Sequence, residues 1–221
     1  MREINEYRGV RGLVVAEITS DKNDTYETGK WTELSGVQSV GFATSQSSET
    51  KFYDNIAALV ANAEGADTIS LVVSALENKI KALVEGTSYN EARDMVVGTP
   101  KQTKYFALGF IGKKTNGVEE VNILYKGTFT GGDTTYNTEN DGTDSANVTY
   151  TFTSIHTTTK IYTDGETKKP VKNVKFGFSD VVTEEKVFGT FADGVSTLNV
   201  LTPDAIVALT NTAAASTTTT E

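Results

Sequence analysis

Hydrophobic and polar side chains alternate with a period of two in several segments of the chain. The clearest segment is 147–153, where one side of the alternation is apolar and the other is small and polar. The apolar residues are Val148, Tyr150 and Phe152, and the polar residues are Asn147, Thr149, Thr151 and Thr153. A period of two with a single apolar face predicts an antiparallel strand that packs on a core with one face only. Residues 173–179 repeat the pattern and predict a second such strand.

Residues 105–111, with the sequence YFALGFI, are apolar at both odd and even positions. This pattern predicts a central strand with core on one face and a helix or another subunit on the other. Residues 121–129 follow as a further strand, and Asn116-Gly117 lies between the two runs. Because Asn and Gly both tolerate positive φ, this pair predicts a hairpin that joins the two strands.

Weaker patterns mark the rest of the β-structure. Short apolar runs predict strands at 12–19, 31–35, 37–44 and 186–191. The polar stretches 20–30 and 45–51 show no periodicity, and we interpret both as loops.

Two helices have recognisable first residues. Ser74 and Glu77 match a capping box and predict a short amphipathic helix that ends at Gly86. Thr, Pro and Asp open residues 202–209, as at the start of a second helix. The stretch 213–221 is low in complexity, and we expect it to be disordered. The fold class predicted is mainly β, an antiparallel sandwich or barrel with a flanking short helix and a short C-terminal helix.

The Ala-rich segment 55–64 can be interpreted in two ways. Its composition favours a helix by propensity alone. Glu64-Gly65-Ala66-Asp67, however, has the composition of a turn and leads into the β-type run 68–73. Local patterns therefore leave helix and strand both open for this segment.

Composition restricts the function. The 221 residues contain no Cys and a single His, and the formal net charge is −9. Thiol chemistry is excluded, tight binding of nucleic acid is disfavoured, and we interpret His156 as a structural polar residue. The acidic loop 139–144 lacks the ligand spacing of a calcium loop. We expect no catalytic residues, no cofactor, no metal and no membrane span, and we rank a glycan-active enzyme last.

Four segments, in order, resemble the major tail proteins of long-tailed phages that infect Gram-positive bacteria. They are Phe52-Tyr53-Asp54-Asn55, Leu83-Val84-Glu85-Gly86, KYFALGF at 104–110 and VNILYKGTF at 121–129. The match covers residues 52–158, about half of the chain. It implies a tail tube β-domain over residues 1–200, followed by a helix and tail at 201–221. It also places a β-hairpin at residues 55–73, which favours strands in the Ala-rich segment.

The resemblance implies a function as well. Tail tube proteins form hexameric rings that stack into a tube, and the tube conducts the genome during ejection. Partners would be further copies of the chain, the tape measure, tail terminator and distal tail proteins, and DNA in transient, non-specific contact. The protein would be synthesised in the host cytoplasm and reside in the virion. A channel of acidic and neutral polar side chains would not retain DNA, because phosphate binding depends on Lys and Arg.

Candidate site residues follow from this interpretation. Asn147, Thr149, Thr151 and Thr153 are candidates for the channel or for solvent. The polar stretches supply candidates for contacts between stacked rings, namely Asp21, Asp24, Ser45, Ser47 and Lys51. Two alternatives stay open: a tube protein of a tail-like bacteriocin or secretion particle, and a Thr-rich bacterial surface β-domain.

Overall fold

The computed structural model describes residues 4–22, 24–34, 36–54, 56–136 and 147–216. Its strands are β1 (Tyr7–Lys22), β2 (Thr25–Thr28), β3 (Lys30–Glu33), β4 (Val37–Ala43), β5 (Gln46–Tyr53), β6 (Ile56–Glu64), β7 (Asp67–Val73), β8 (Ser88–Asn90), β9 (Met95–Val97), β10 (Phe106–Lys114), β11 (Glu119–Asp133), β12 (Val148–Ser154), β13 (Lys160–Asp164), β14 (Thr167–Pro170), β15 (Asn173–Gly177), β16 (Phe191–Ala192) and β17 (Val195–Asn199). Its helices are α1 (Asn78–Glu85), α2 (Glu184–Phe188) and α3 (Pro203–Ser216), with a 3-10 turn at Glu91–Arg93. The mainly β fold predicted from the alternation is confirmed.

Eleven of the described strands form one curled antiparallel sheet. Its main path runs β16-β17-β3-β1-β10-β11-β12-β7-β4, with β15 added to β11 and β2 added to β1. The curl brings the β12-β7-β4 end over the β1-β10 part, and one apolar core fills the space between them. This inner core includes Leu13, Leu71, Leu108 and Phe152. The fold is therefore of the sandwich or barrel type.

Strand β10 has apolar side chains on both faces, and the structure covers both. Phe106, Leu108 and Phe110 lie in the inner core. Ala107 and Ile111 lie in a second core, which we call the outer core. Phe188 of α2 and Ile206 of α3 belong to the outer core. The part of the chain that follows β12, which we call the C-terminal segment, therefore covers this side. The prediction of a central strand between a core and a helix is confirmed.

The β10–β11 hairpin forms as predicted. Gly117 in its turn has a φ of 84°, and Lys113 pairs with Glu119 across the first rung. A bulge interrupts the ladder farther along, because Leu108 pairs with Leu124 whereas Phe106 pairs with Gly127. The extra residue lies in β11. Beyond it, the side chains of β11 that point outward change from odd-numbered to even-numbered residues.

The prediction of a loop over residues 20–30 is wrong. Strand β1 continues to Lys22 and pairs with β2, with Lys22 opposite Thr25. Asp24, in the two-residue connection, has a φ of 62°. Asp tolerates this left-handed conformation, so a tight turn forms without Gly. The polar composition reflects exposed faces of a ribbon, not an absence of strands.

The prediction of a loop over residues 45–51 is also wrong, because β5 occupies most of that stretch. Strands β5 and β6 pair with each other as a separate two-stranded sheet, which we call the arm. The expected strand conformation of 55–73 is confirmed for β6 and β7. The expected pairing differs, because β7 pairs with β12 and β4 instead of β6. Pairing with β5 outweighs the helix propensity of the alanines in β6.

Three predictions need correction in the helical parts of the chain. Helix α1 begins at Asn78 with Glu77 as N-cap, so Ser74 does not cap it; the predicted stop at Gly86, with a φ of 67°, is confirmed. Of the strand predicted at 186–191, residues 186–188 belong to helix α2 and only Phe191 lies in a strand, β16. The Thr183 hydroxyl accepts a hydrogen bond from the Lys186 amide and caps the helix. Helix α3 continues to Ser216, since alanine favours helix. The helix is therefore longer than the predicted 202–209, and 217–221 lie outside the described residues.

Candidate functional site

The outward face of the sheet formed by the distal half of β11, β12, β7 and β4 carries mostly small side chains, the majority of them polar, and is nearly uncharged. Three cross-strand rungs build this surface, which we call the neutral face. The rungs are Thr128-Thr153-Thr68-Ala43, Thr130-Thr151-Ser70-Gly41 and Asp133-Thr149-Val72-Ser39. Asp133 is the one charged side chain among these twelve, and no Lys or Arg belongs to them.

The neutral face exists because inward residues on the same strands are large and apolar. Phe152, Ile69 and Leu71 are fully buried, and they hold the outward residues at alternate positions. Threonine is β-branched and stiff at χ1, so its hydroxyl and methyl groups present a flat, ordered surface. Three of the four predicted channel candidates, Thr149, Thr151 and Thr153, lie on this face.

Asn147, the fourth candidate, precedes β12 at the edge of the neutral face. Its Nδ2 donates a hydrogen bond to Oε1 of Gln38 at 2.6 Å. Gln38 is the extra residue at a register shift between Val37 and Ser39 in β4. The structure therefore brings all four predicted residues to one side of one sheet.

Both lateral edges of this four-stranded sheet are open within the described residues. No described strand pairs with β4 on the side away from β7. On the opposite side, β10 leaves β11 at Gly127, so Thr128 and Thr130 have no partner strand beyond β12. Unpaired backbone N–H and C=O groups at such edges favour pairing with another chain.

The arm carries the predicted contact residues Ser45, Ser47 and Lys51. All three are exposed, Ser45 at the root of the arm and the other two on β5. The arm also exposes large apolar side chains, namely Ile56 at 69%, Val60 at 57% and Leu59 at 52%. A two-stranded ribbon cannot bury such side chains by itself.

The remaining two predicted contact residues differ from each other. Asp24 is exposed at the tip of the β1–β2 turn. The Asp21 carboxylate, in contrast, is nearly buried and accepts hydrogen bonds from Lys126 Nζ at 2.6 Å and from the backbone amides of Thr158 and Thr159. Its oxygens are thus occupied within the chain, and they tie the C-terminal segment to the sheet.

The same contacts explain the acidity of Asp21. Burial alone would raise the pKa of the carboxyl, but the hydrogen bonds from Lys126, Thr158 and Thr159 outweigh it and hold the pKa at about 2. Glu120 behaves in the same way: burial opposes its charge, and Lys114, Lys175 and the Tyr7 hydroxyl lower its pKa to about 2. Both carboxylates stabilise the folded chain at neutral pH.

No catalytic arrangement is visible in the part of the chain that the structure describes. His156 is half-exposed, and its nearest charged partner is Glu64, with Nε2 3.9 Å from the carboxylate. Within the described ranges, no group of three or more His, Cys, Asp or Glu residues could hold a metal ion. The acidic loop 139–144 lies outside those ranges. No described helix has the length and apolar character needed to cross a bilayer.

An apolar groove of about 480 Å³ opens between β1, β4, β10 and β15. Val10, Val40, Phe42 and Phe110 are among the ten residues that line it, and Lys175 is one of the polar residues there. Among the described residues, no histidine or carboxylate lines the groove. Its chemistry fits an apolar contact better than catalysis.

Sequence reasoning missed most of the neutral face. Thr68 and Ser70 alternate with Ile69, Leu71 and Val73, so a period-two signal was present in β7. Ser39, Gly41 and Ala43 gave a weaker signal, because Gly and Ala do not distinguish polar from apolar faces. The alignment of the strands into rungs has no local signal at all.

Compared with known proteins, the chain matches no family model and no curated protein. Its function therefore has to be inferred from the chemistry of its surfaces.

Proposed function

We propose that this chain is the structural subunit of a phage tail tube. Copies would form hexameric rings that stack, and the central channel would conduct the genome during ejection. The neutral face carries the proposal, because its twelve rung residues include no cation although the whole chain contains 20 Lys and Arg residues. A channel wall of this kind offers DNA phosphates nothing to bind.

The open edges support ring formation. Edge strand β4 of one copy would pair with the distal half of β11 in the next copy, so that the neutral faces join into one continuous barrel wall. Closure of the ring would leave no open edge at β4 or at the distal half of β11, which removes the aggregation hazard of these two unpaired edges. The heterologous pairing repeats by rotation, and rotation that closes gives a cyclic oligomer.

The arm supports contact between copies beyond the barrel. Its exposed Ile56, Leu59 and Val60 need cover, and a neighbouring copy in the same or the next ring would supply it. Ser47 and Lys51 lie on β5 of the same ribbon. Asp24, at another turn, would be a separate contact point.

Electron microscopy and DNA binding test the proposal together. Purified protein at high concentration should form rings or tubes of uniform diameter in negative stain. Wild-type tubes should not retain duplex DNA, whereas Thr151→Lys tubes, with one new cation per subunit on the neutral face, should retain it in a salt-dependent manner.

Thr167→Lys is the matched control, because Thr167 is exposed on β14, away from the neutral face. A strictly monomeric species at high concentration contradicts the proposal and favours a surface domain. Equal DNA retention by Thr151→Lys and Thr167→Lys tubes contradicts the assignment of the neutral face to the channel.

A further inference from the structure

The root of the arm is a joint in the β-structure. The β4–β7 ladder ends with Ala43 opposite Thr68, and the β5–β6 ladder begins with Gln46 opposite Glu64. Between these rungs, the Gly65 amide donates a hydrogen bond to the Ser45 carbonyl at 2.8 Å. A ladder that breaks and resumes does not by itself fix the direction of the second ribbon.

A buried lysine lies at this joint. The Lys172 side chain is 3% exposed, and its Nζ donates to the Gly65 carbonyl oxygen at 2.9 Å. The same ammonium pairs with the Glu64 carboxylate and lies 3.3 Å from Oδ2 of Asp67. Three acceptors match the three N–H donors of an ammonium group. His156 lies at the exposed side of Glu64.

The cluster holds both strands of the arm. Glu64 ends β6, and Gly65 follows it. On the β5 side, the Ser45 amide donates to Oδ1 of Asp67 at 3.3 Å, and Asp67 contacts Lys172 through its other oxygen. Lys172 is therefore connected to β6 directly and to β5 through Asp67.

Lys172 is itself held rigidly. Its carbonyl oxygen accepts a hydrogen bond from the Tyr125 amide of β11 at 2.9 Å. The preceding Val171 is bonded to Thr157 in two ways: its carbonyl accepts from the Thr157 amide, and its amide donates to the Thr157 hydroxyl. The ammonium thus reaches the arm from a fixed point on the C-terminal segment.

We infer that Lys172 is a positioning residue that fixes the direction in which the arm leaves the sheet. This part of the C-terminal segment then has a second role besides covering the outer core. The link to assembly rests on the proposed function, because a fixed arm matters when it has to reach another copy. The geometric role of Lys172 stands without that link.

The charge state of the cluster agrees with this role. Burial opposes the charge on Lys172 most strongly, yet its hydrogen bonds to Glu64 and Asp67 outweigh burial and raise the pKa of the ammonium. The hydrogen bond from Lys172 is also the main reason that the pKa of Glu64 is lowered. The ion pair is therefore maintained at neutral pH.

Distance measurement between spin labels tests the inference. The chain has no native Cys, so Ser48→Cys on β5 and Thr149→Cys on β12 allow labelling at two exposed positions. Labelled protein is diluted with unlabelled protein, which limits the signal to distances within one copy. In Lys172→Met, the distance distribution should broaden about twofold, and amides of the arm should exchange about tenfold faster.

Two further variants separate positioning from stability. Lys172→Met leaves Asp67 buried without its cation, so Lys172→Met with Asp67→Asn removes that charge and keeps an acceptor for the Ser45 amide. This double variant should regain thermal stability while the distance distribution stays broad. Lys169→Met is the control, because Lys169 pairs with Asp164 within the exposed β13–β14 hairpin; its distribution should stay narrow.

A narrow, unshifted distribution in both the single and the double variant overturns the inference. If Lys172→Met does not fold, the double variant decides alone. A wild-type protein that never assembles contradicts the proposed function, and the distances within one copy still decide the role of Lys172.

Discussion

Strand β11 runs through two regions whose outward faces have opposite chemistry. In its proximal half, Val121, Ile123 and Tyr125 point into the outer core under the C-terminal segment. In its distal half, Thr128 and Thr130 point from the same side of the sheet into the open. The bulge between these halves changes the parity of the outward residues from odd to even. One strand therefore supplies both a covered face and a bare face.

The difference shows that the side chains on one face of a β-sheet indicate whether that face is covered by other elements. A covered face needs side chains that gain free energy from burial, and large apolar residues provide it. A bare face that stays small and uncharged gains little from burial and binds polyanions poorly. Substitutions on the covered face should therefore strongly lower the folding stability of the isolated chain. Substitutions on the neutral face should change that stability very little.

The largest loss in the free energy of unfolding is expected for Phe188→Ala. Phe188 belongs to α2 and packs edge-to-face on Trp31, with ring centroids 5.5 Å apart. Removal of a fully buried aromatic ring costs about 3–5 kcal/mol. Chemical denaturation monitored by Trp31 fluorescence measures this cost. A loss below about 1 kcal/mol would show that the C-terminal segment is not part of the cooperative core.

Acid should lower the folding stability of the chain through protonation of Asp21, which ties the C-terminal segment to the sheet. Its pKa is lowered from 3.8 to about 2 in the folded chain, so the stabilisation is present above pH 4 and is lost as the pH falls towards 2. The contribution at neutral pH is about 2 kcal/mol. Asp21→Asn should lack this part of the pH dependence, as measured by denaturation midpoints between pH 2 and 7.

Glu120 limits the interpretation of the acid experiment, because its pKa is also held at about 2. The quantity to compare is therefore the difference between wild type and Asp21→Asn at each pH. A difference that stays constant from pH 7 to pH 2 would contradict the role assigned to Asp21.

Two glycines provide a matched pair across the two regions. A methyl group at Gly109 in β10 would lie 2.8 Å from Phe188 and 3.0 Å from Val14, so Gly109→Ala should cost about 1–3 kcal/mol. A methyl group at Gly41 on the neutral face would meet Ser70 at an ordinary 3.7 Å. Gly41→Ala should leave the midpoint of thermal unfolding unchanged or slightly higher, and equal losses for the two variants would remove the distinction between the faces.

The smallest effect is expected for Thr151→Ala on the neutral face. Thr151 is half-buried on the outward side of β12, whereas its neighbours Tyr150 and Phe152 are buried on the inward side. The free energy of unfolding should change by less than about 0.5 kcal/mol. A larger loss in calorimetry would mean that the neutral face stabilises the single chain, which the proposed channel role does not require.

Period-two alternation predicted the central elements well. The interpretation of 105–111 as a strand with two buried faces is confirmed, and the hairpin predicted at Asn116-Gly117 forms. These succeeded because both signals are local: side-chain direction alternates along the strand, and the turn conformation depends on two residues. The four predicted channel candidates came from the same alternation, and they lie together.

Local patterns failed where a tertiary partner decided the outcome. Residues 20–30 look like a loop because the ribbon they form has polar, exposed faces. Residues 186–191 contain apolar positions that suit a strand, yet the Thr183 cap and burial of Phe188 against Trp31 favour a helix. The family resemblance and the function it implies stay predictions, which electron microscopy can test.

Taken alone, the sequence determined which segments are strands with one or two apolar faces, where the main hairpin turns, and that the chain lacks thiol chemistry. The tertiary structure decided which strands pair, and so placed Thr151, Ser70 and Gly41 in one rung. It also decided that Lys172 meets Glu64 and Asp67. The physical reason is distance along the chain: alternation is set by neighbouring residues, whereas rungs and buried ion pairs join residues far apart in sequence.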